Sequence, residues 1–383
     1  MAYKLTATPR IVVFALGVRI ASALLAFLSN IVFPLAQREP FTMLGRTHPF
    51  WDTFTRYDSG WYFGIARYGY EFVEGGRSNL AFFPLYPMLM RYLGLALGGG
   101  RENVYRAGII VSWVSFVVAM VLLYRLTRTY VSDDEAERTV AFAAVFPFAF
   151  FFGVVYTEAL FLMLSLAAFL GFRTGRWWLG GIAGACATAT RVNGILMLPA
   201  LAWLAWTTAG RDRARLWRAG VGLAMVPLGI GVYSLFNYSL SGNPAEWMDS
   251  IRRWNYHPGG APWSPIVTLL AGMATEPLSY LTTGTQAPYD LANGGAAIVA
   301  IIAIPFVWIR FGGPYALLMI ANLWLPLSSG TFEGVGRYCA VLFPLGMCAS
   351  TIASPTTRHG LLALSGALYA LALAMFTNIH PIF

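Results

Sequence analysis

The residues best placed to do chemistry lie in the stretch Arg56-Tyr57-Asp58-Ser59-Gly60-Trp61-Tyr62-Phe63-Gly64-Ile65-Ala66-Arg67-Tyr68-Gly69-Tyr70. A lone carboxylate, Asp58, stands there among Arg, Trp and Tyr. A carboxylate within reach of a hydroxyl can take its proton as the oxygen attacks. Three further charged residues interrupt apolar sequence far downstream: Glu158 after Tyr156-Thr157, Arg191 before Val192-Asn193-Gly194, and Arg337 beside Tyr338. Guanidinium groups suit phosphate because their planar donors match its oxygens. One acid and several arginines form a reasonable set where an anionic substrate is held and a hydroxyl must be deprotonated.

Each residue also has an ordinary structural role open to it. Asp58 could cap the helix that begins near Ser59, and Asp52 is its rival as base. Glu158 could tie two helix ends together. Arg191 could satisfy backbone carbonyls at a helix end. Trp61, Tyr62, Tyr68 and Tyr70 fit an interfacial aromatic belt. Arg337 is the arginine most readily assigned to phosphate.

The elements that must position these groups are apolar. The chain has 383 residues, of which 57% are hydrophobic and only 11% charged, against about 25% charged in soluble domains. Mean hydropathy is +0.61. Such a chain cannot cover a water-facing surface, so a single all-α polytopic transmembrane domain over residues 1–383 is expected. Net charge is +9, and Lys4 is the only lysine among 26 basic residues. Most arginines fall in loops that a positive-inside frame places in the cytoplasm. There is no compact basic domain able to track a nucleic-acid backbone. Cys186, Cys339 and Cys348 form no CxxC pair, and His48, His257, His359 and His380 are scattered. The sequence therefore suggests neither a disulfide framework nor a metal centre.

In order, an apolar run over 11–35 reads as an uncleaved anchor with a cytoplasmic N-terminus. It carries Arg19, which is costly against lipid and should face the bundle or snorkel inward. Residues 37–103 form a first external loop that holds Asp58. Within it, 80–92 is apolar but interrupted by Pro84, Pro87 and Arg91, which reads as a helix in the outer interface. Crossings follow over 104–124, 139–155, 159–172, 177–190, 195–206 and 221–238. A second external loop spans 239–293, with another interfacial helix at 265–280. The last crossings are 296–309, 314–327, 338–353 and 361–376. That makes about eleven crossings. Asp58, Glu158, Arg191 and Arg337 all fall on the extracytoplasmic side.

The blocks RYDSGWYFGIARYGY, AFFPLYP, YTEALF, TRVNG and GRY, in this order, resemble the PIG-V-like mannosyltransferases. The resemblance runs from Trp51 to about Phe343, and its first block is the specific part. It implies a GT-C glycosyltransferase fold of about eleven crossings with interfacial helices in the first external loop. It also implies transfer of mannose from a polyprenyl-phosphate donor in a membrane, expected to be a bacterial plasma membrane. By position, Asp58 matches the family's acid, Arg56 its arginine and Gly69-Tyr70 its closing pair. Phe83-Pro84, Glu158, Arg191 and Arg337 match later family positions. The sequence departs at Tyr57, where Trp is common, and at Arg67 and Tyr68, where an acid and a His are frequent.

The expected site is thus Asp58 as catalytic base, with Arg56, Tyr62, Tyr70, Glu158, Arg191, Arg337 and Tyr338 on substrate. No metal or other cofactor is required, because a phosphate leaving group needs charge rather than a proton. A divalent ion on Asp58 and Glu158 stays open. The acceptor is a lipid, glycan or protein hydroxyl. Two other classes fit the same arginines: a flippase for lipid phosphates or lipid-linked sugars, and a non-enzymatic assembly partner. Polar residues gathered at the outer surface, rather than at mid-membrane, favour the enzyme.

Overall fold

Proline and glycine punctuate this apolar chain, and the helices obey them. A computed structural model describes residues 4–37, 48–254, 256–278 and 287–382, with side chains from residue 7 onward except those of 287 and 288. Helix α1 is Lys4–Val32. Besides the single turn Pro49–Asp52 and a 3-10 turn over Asn79–Ala81, the described part of the first loop holds two longer helices, α2 Ser59–Tyr68 and α3 Leu85–Ala96. Helix α4 is Gly100–Thr127, α5 Asp133–Ala144, α6 Glu158–Arg173, α7 Trp177–Thr188 and α8 Leu198–Ala209. Next come α9 Arg213–Met225, α10 Leu228–Ser241, α11 Glu246–Arg253 and α12 Ser264–Thr275. The last are α13 Ala287–Phe311, α14 Gly313–Leu327, α15 Val335–Ala340, α16 Pro344–Ser350 and α17 Pro355–Thr377. The described elements are all helical.

Six described segments are long and apolar enough to cross a bilayer: Ala7–Val32, Gly100–Thr127, Val192–Ala209, Arg213–Ser241, Tyr289–Phe311 and Pro355–Thr377. Three stretches expected as single crossings are broken instead. The 139–155 stretch stops as α-helix at Ala144, and a 3-10 turn over Ala149–Gly153 follows. Pro147 explains the break, since the residue before a proline is pushed out of helical geometry and the proline has no N–H to donate. Pro344 likewise divides 338–353 into α15 and α16. Pro227 separates α9 from α10 within one span. Helix α3 has 12 residues and is about 18 Å long, too short to cross. Helix α12 is as short; residues 279–280 of the stretch expected with it lie outside the described residues, as do 38–47 of the first loop and 255 and 279–286 of the second.

Helix α6 is the centre of the bundle. It is buried on nearly all sides, packed by α4, α7 and α8, as an apolar helix without a polar face must be. Its first residue is Glu158. Before it, residues 154–157 run non-helically through the interior, and every such backbone group needs a partner. Ser112 donates to the carbonyl of Val154 at 2.8 Å, and Trp113 Nε1 donates to Gly153 at 3.1 Å. The Val155 N–H donates to the Phe54 carbonyl at 3.0 Å, and Ser59 Oγ donates to Val155 O at 3.2 Å. The segment is thereby clamped between α4 and the first loop.

Several arginines pair near the opposite end of α6. There Arg10 pairs with Glu137 at 2.7 Å, Arg128 with Asp133, and Arg310 with Glu135 at 3.9 Å. Arg173 donates to Thr129 at 3.3 Å. Arg173 closes α6, so the contact it makes lies at the end of that helix remote from Glu158.

Candidate active site

Asp58 arrives at the end of an unusual turn. Tyr57 has φ 51°, the left-handed region that non-glycine residues rarely adopt and that collects at functional sites. The following helix does not use the Asp58 side chain as a cap. Its backbone N–H donates to the phenol oxygen of Tyr156 at 3.2 Å. Its carboxylate Oδ2 accepts from Arg337 Nη1 at 3.0 Å and remains 28% exposed. The capping role is therefore not the one adopted.

Arg337 comes from the short helix α15, whose N-cap Gly334 is left-handed at φ 68°. Its Nε donates to Glu158 Oε1 at 2.8 Å. The guanidinium carbon lies 4.7 Å from the Tyr156 ring centroid and 5.0 Å from that of Phe151, close enough for cation–π attraction. A Cβ on Gly336 would stand 2.4 Å from the Phe148 ring, so glycine lets α15 approach. The same Glu158 oxygen accepts from Arg191 Nη1 at 2.5 Å. Arg191 also donates to Thr157 Oγ1 at 3.0 Å and to Asn193 Oδ1 at 3.2 Å. Asn193 in turn reaches Asn322 Oδ1 on α14 at 3.0 Å.

The result is a continuous chain, Asp58–Arg337–Glu158–Arg191, with two negative and two positive charges. Glu158 has no exposed surface, whereas both arginines keep 12%. The other carboxylate oxygen of Glu158, Oε2, is buried without a partner. Glu158 stands at a helix N-terminus, where a negative side chain is favoured. It is the hub that holds both guanidinium groups with part of each facing outward.

Tyr62 is buried beside this chain, 3.5 Å from Thr157 Oγ1. Burial, then the charges of Asp58 and Glu158, push its phenol upward, so it stays neutral. Tyr338 lies under Arg191, with the guanidinium carbon 5.3 Å from its ring centroid. Tyr256, from the second loop, is near enough to Tyr338, Arg191 and Glu333 to feel them, and burial raises its phenol. Glu333 is exposed to solvent yet walled by protein. Desolvation and then the Asp58 charge push its carboxyl up, against the pull of Arg337.

Two expected site residues are placed elsewhere. Arg56 has no exposed surface. It donates to Asp52 Oδ2 at 2.5 Å, to Thr377 O at 3.0 Å and to Asn30 Oδ1 at 3.2 Å. Those bonds pin the first loop to α1 and α17, and no substrate can reach the guanidinium without breaking them. Asp52, the rival base, is buried against it. Tyr70 donates to the Phe82 carbonyl at 2.7 Å and packs on Tyr233 and Phe236 of α10. It fastens the end of α2 rather than joining the charged chain.

Sequence reasoning passed over Tyr156, Thr157, Asn193, Asn322, Tyr256 and Glu333. The first three lie inside blocks it did single out. Asn322 carried a fainter signal, a lone amide within the apolar α14. Nothing local marked Tyr256 or Glu333. Among the described residues no three His, Cys, Asp or Glu side chains gather as an ion cage, and Asp58 and Glu158 are both engaged by Arg337. An apolar groove of about 800 Å³ lies between α1 and α4, lined by Leu16, Phe54, Arg106 and Trp113 among others; it contains none of the four charged residues.

An all-α bundle of long apolar helices with buried charges collected at one end is the layout of a polytopic membrane protein. A family model described as "Mannosyltransferase (PIG-V)" matches residues 8–211, more than half of the sequence, and the chain belongs to that family. Asp58, Glu158 and Arg191 lie within the matched residues; Arg337 lies beyond them. No curated protein sequence matches. Among solved structures, ArnT from Cupriavidus metallidurans bound to undecaprenyl phosphate superposes with a TM-score of 0.55 at 12% identity, covering 95% of this chain and 76% of that one. This likeness is one of fold. The apo oligosaccharyltransferase of Archaeoglobus fulgidus aligns with a TM-score of 0.49 at 14% identity, covering 96% of this chain. This chain spans 56% of that protein's length.

Proposed function

We propose that the protein transfers mannose from polyprenyl-phosphate-mannose to an acceptor hydroxyl on the extracytoplasmic side of the membrane, with inversion at the anomeric carbon. The reading places about eleven crossings in the bilayer, some of them broken or short, and the N-terminus in the cytoplasm. The observation that carries it is the 3.0 Å contact between Asp58 and Arg337, with Arg337 held in turn by Glu158.

Asp58 is the base. The acceptor oxygen attacks the anomeric carbon as its proton passes to the carboxylate. The bond from that carbon to the phosphate oxygen breaks, and its electron pair stays on the lipid phosphate. Asp58 thus loses one negative charge while the phosphate gains one. Arg337 touches the carboxylate at rest and is released from it by the same proton. Its guanidinium can then follow the charge onto the leaving phosphate by charge-assisted hydrogen bonds. Arg191 supplies the second cation. Glu158, fully buried, keeps the pair in place and does not react. Tyr62 and Tyr338 shape the pocket. Charge stabilisation suffices for a phosphate leaving group, so no second acid and no cofactor enters the scheme.

A flippase would need the arginines but no base. Asp58 is 28% exposed beside a shielded Arg337, which suits a group that must meet a hydroxyl. The test is purified protein in proteoliposomes with radiolabelled polyprenyl-phosphate-mannose and a cell-lipid extract as acceptor. Transfer or slow donor hydrolysis, lost in Asp58→Asn, supports the proposal. Scrambling of the donor between leaflets without turnover would replace it with the flippase.

A further inference from the structure

The end of the bundle remote from Glu158 carries its charges unevenly. In one part α5 brings acids to the arginines: Glu137 to Arg10, Asp133 to Arg128 and Glu135 to Arg310. In another, where α8 ends and α9 begins, Arg211, Arg213, Arg215 and Arg218 are all exposed, as is Arg176 just before α7. Among the described residues their one ion pair is Arg215 with Asp212 at 3.6 Å, between two exposed groups. Such a surface pair contributes little. The Asp212 carboxylate is already engaged as the cap of α9, accepting from the N–H groups of Ala214 at 2.9 Å and Arg215 at 3.1 Å.

Two segments long and apolar enough to span, Val192–Ala209 and Arg213–Ser241, meet at this edge. The arginines between and at the start of them therefore stand where hydrocarbon gives way to headgroups. Packing holds α9 in that position. A Cβ on Gly222 would stand 2.6 Å from the Trp177 carbonyl oxygen, so α9 meets the first residue of α7 at Gly222. The helix before Gly222, about 13 Å of it, extends past α7. There Leu216 and Ala219 pack against the core, which leaves Arg215, Arg218 and Trp217 on the outside. Trp217 is 68% exposed, and Trp206, in the last turn of α8, is 66% exposed. Indole rings favour the headgroup level of a bilayer, and an arginine stem lies along apolar surface while its guanidinium reaches the polar layer.

Unpaired guanidinium groups at that depth face lipid phosphates, whose oxygens their planar donors match. A basic cluster beside a spanning helix attracts lipids of net negative charge. A zwitterionic headgroup brings its own cation and is attracted less. We propose that the edge formed by α8 and α9 is a docking surface for anionic phospholipids such as phosphatidylglycerol. Their phosphates accept hydrogen bonds from Arg211, Arg213, Arg215 and Arg218, and their chains pack beside Trp206 and Trp217. The part of the same end lined by the acids of α5, with its arginines neutralised, does not select them.

The test uses full-length protein in phosphatidylcholine nanodiscs that contain dibrominated phosphatidylglycerol or dibrominated phosphatidylcholine at equal mole fraction. Bromine on a neighbouring chain quenches indole fluorescence, and the difference between wild type and Trp217→Phe isolates the Trp217 signal. That signal should show a preference for the anionic lipid of about fivefold or more in relative binding constant, the effect of a single arginine at an anionic surface. In the triple variant Arg213→Gln, Arg215→Gln, Arg218→Gln the preference should fall toward unity, with the melting temperature near wild type because exposed substitutions change stability little. Arg10→Gln, among the paired arginines, should leave the preference unchanged. Equal quenching by the two lipids in the wild type overturns the proposal, as does a preference that survives the triple variant. Added sodium phosphate should not displace the lipid; displacement would make the surface one for soluble anions and overturn the proposal too.

Discussion

Arg337 Nη1 lies 3.0 Å from Asp58 Oδ2 across 279 positions of sequence, and its Nε is simultaneously 2.8 Å from Glu158. One guanidinium therefore bridges an accessible carboxylate and a buried one. The two carboxylates differ in environment, and that difference separates a group able to react from a group that positions.

Asp58→Asn keeps the shape of the side chain but removes the basic oxygen. Transfer should fall by about 10²–10⁴-fold, the usual worth of a general base. Expression, membrane insertion and melting temperature should stay near wild type, since the carboxylate is partly exposed. Measured turnover close to wild type would remove Asp58 from the mechanism.

Arg337→Gln should cost more than activity. It leaves Glu158 with Arg191 alone in a dry site, and breaking a buried pair from one side costs about 3–5 kcal/mol. Thermal unfolding in detergent should show a large drop. The double variant Arg337→Gln with Glu158→Gln should recover part of that stability while staying inactive, the coupling expected of residues in contact. Strict additivity in the melting data would mean the bridge does not form.

Arg56 gives the opposite pattern. Arg56→Lys cannot reproduce three directed bonds to Asp52, Asn30 and Thr377, because an ammonium lacks the planar fork. Melting temperature should fall clearly, by several degrees. The protein that remains folded should turn over within a few-fold of wild type. A loss of turnover as deep as that of Asp58→Asn, with stability intact, would return Arg56 to the reaction.

Glu333 supplies a pH signature. Its carboxyl is raised above the ordinary value by desolvation and by Asp58, so ionisation is more costly in the folded state. The stabilising share is present below the unfolded value and is lost as pH rises through the folded one. Glu333→Gln should therefore melt slightly higher than wild type at neutral pH, and the gap should close as pH falls below about 4, under the ordinary carboxyl range. Melting curves across pH read this directly; a gap that widens toward acid would reverse the sign.

Much of the architecture was legible in composition and hydropathy. The apolar runs became helices at almost the expected places, because a chain with 11% charged residues has few alternatives in lipid. The breaks at Pro147 and Pro344 were written in the sequence but underread, since an apolar run hides them. Of the candidate site residues, Glu158, Arg191 and Arg337 stood out because each charge interrupts apolar sequence, and Asp58 as the carboxylate of an aromatic-rich loop.

Their roles were not legible. Arg56 and Asp58 are two residues apart in the same block, yet one is sealed against Asp52 and Thr377 while the other faces Arg337. A sequence reports that a charge is present and that it must find a partner. Which partner it finds depends on where α1, α6, α15 and α17 pack, hundreds of residues apart. The left-handed turn at Tyr57, the close approach of α15 to Phe148 and the path of residues 154–157 decided it. Composition alone settled that this chain lives among lipids as helices; three-dimensional packing alone settled which charges are spent on holding it together and which remain to act, because burial and pairing are properties of neighbours rather than of residues.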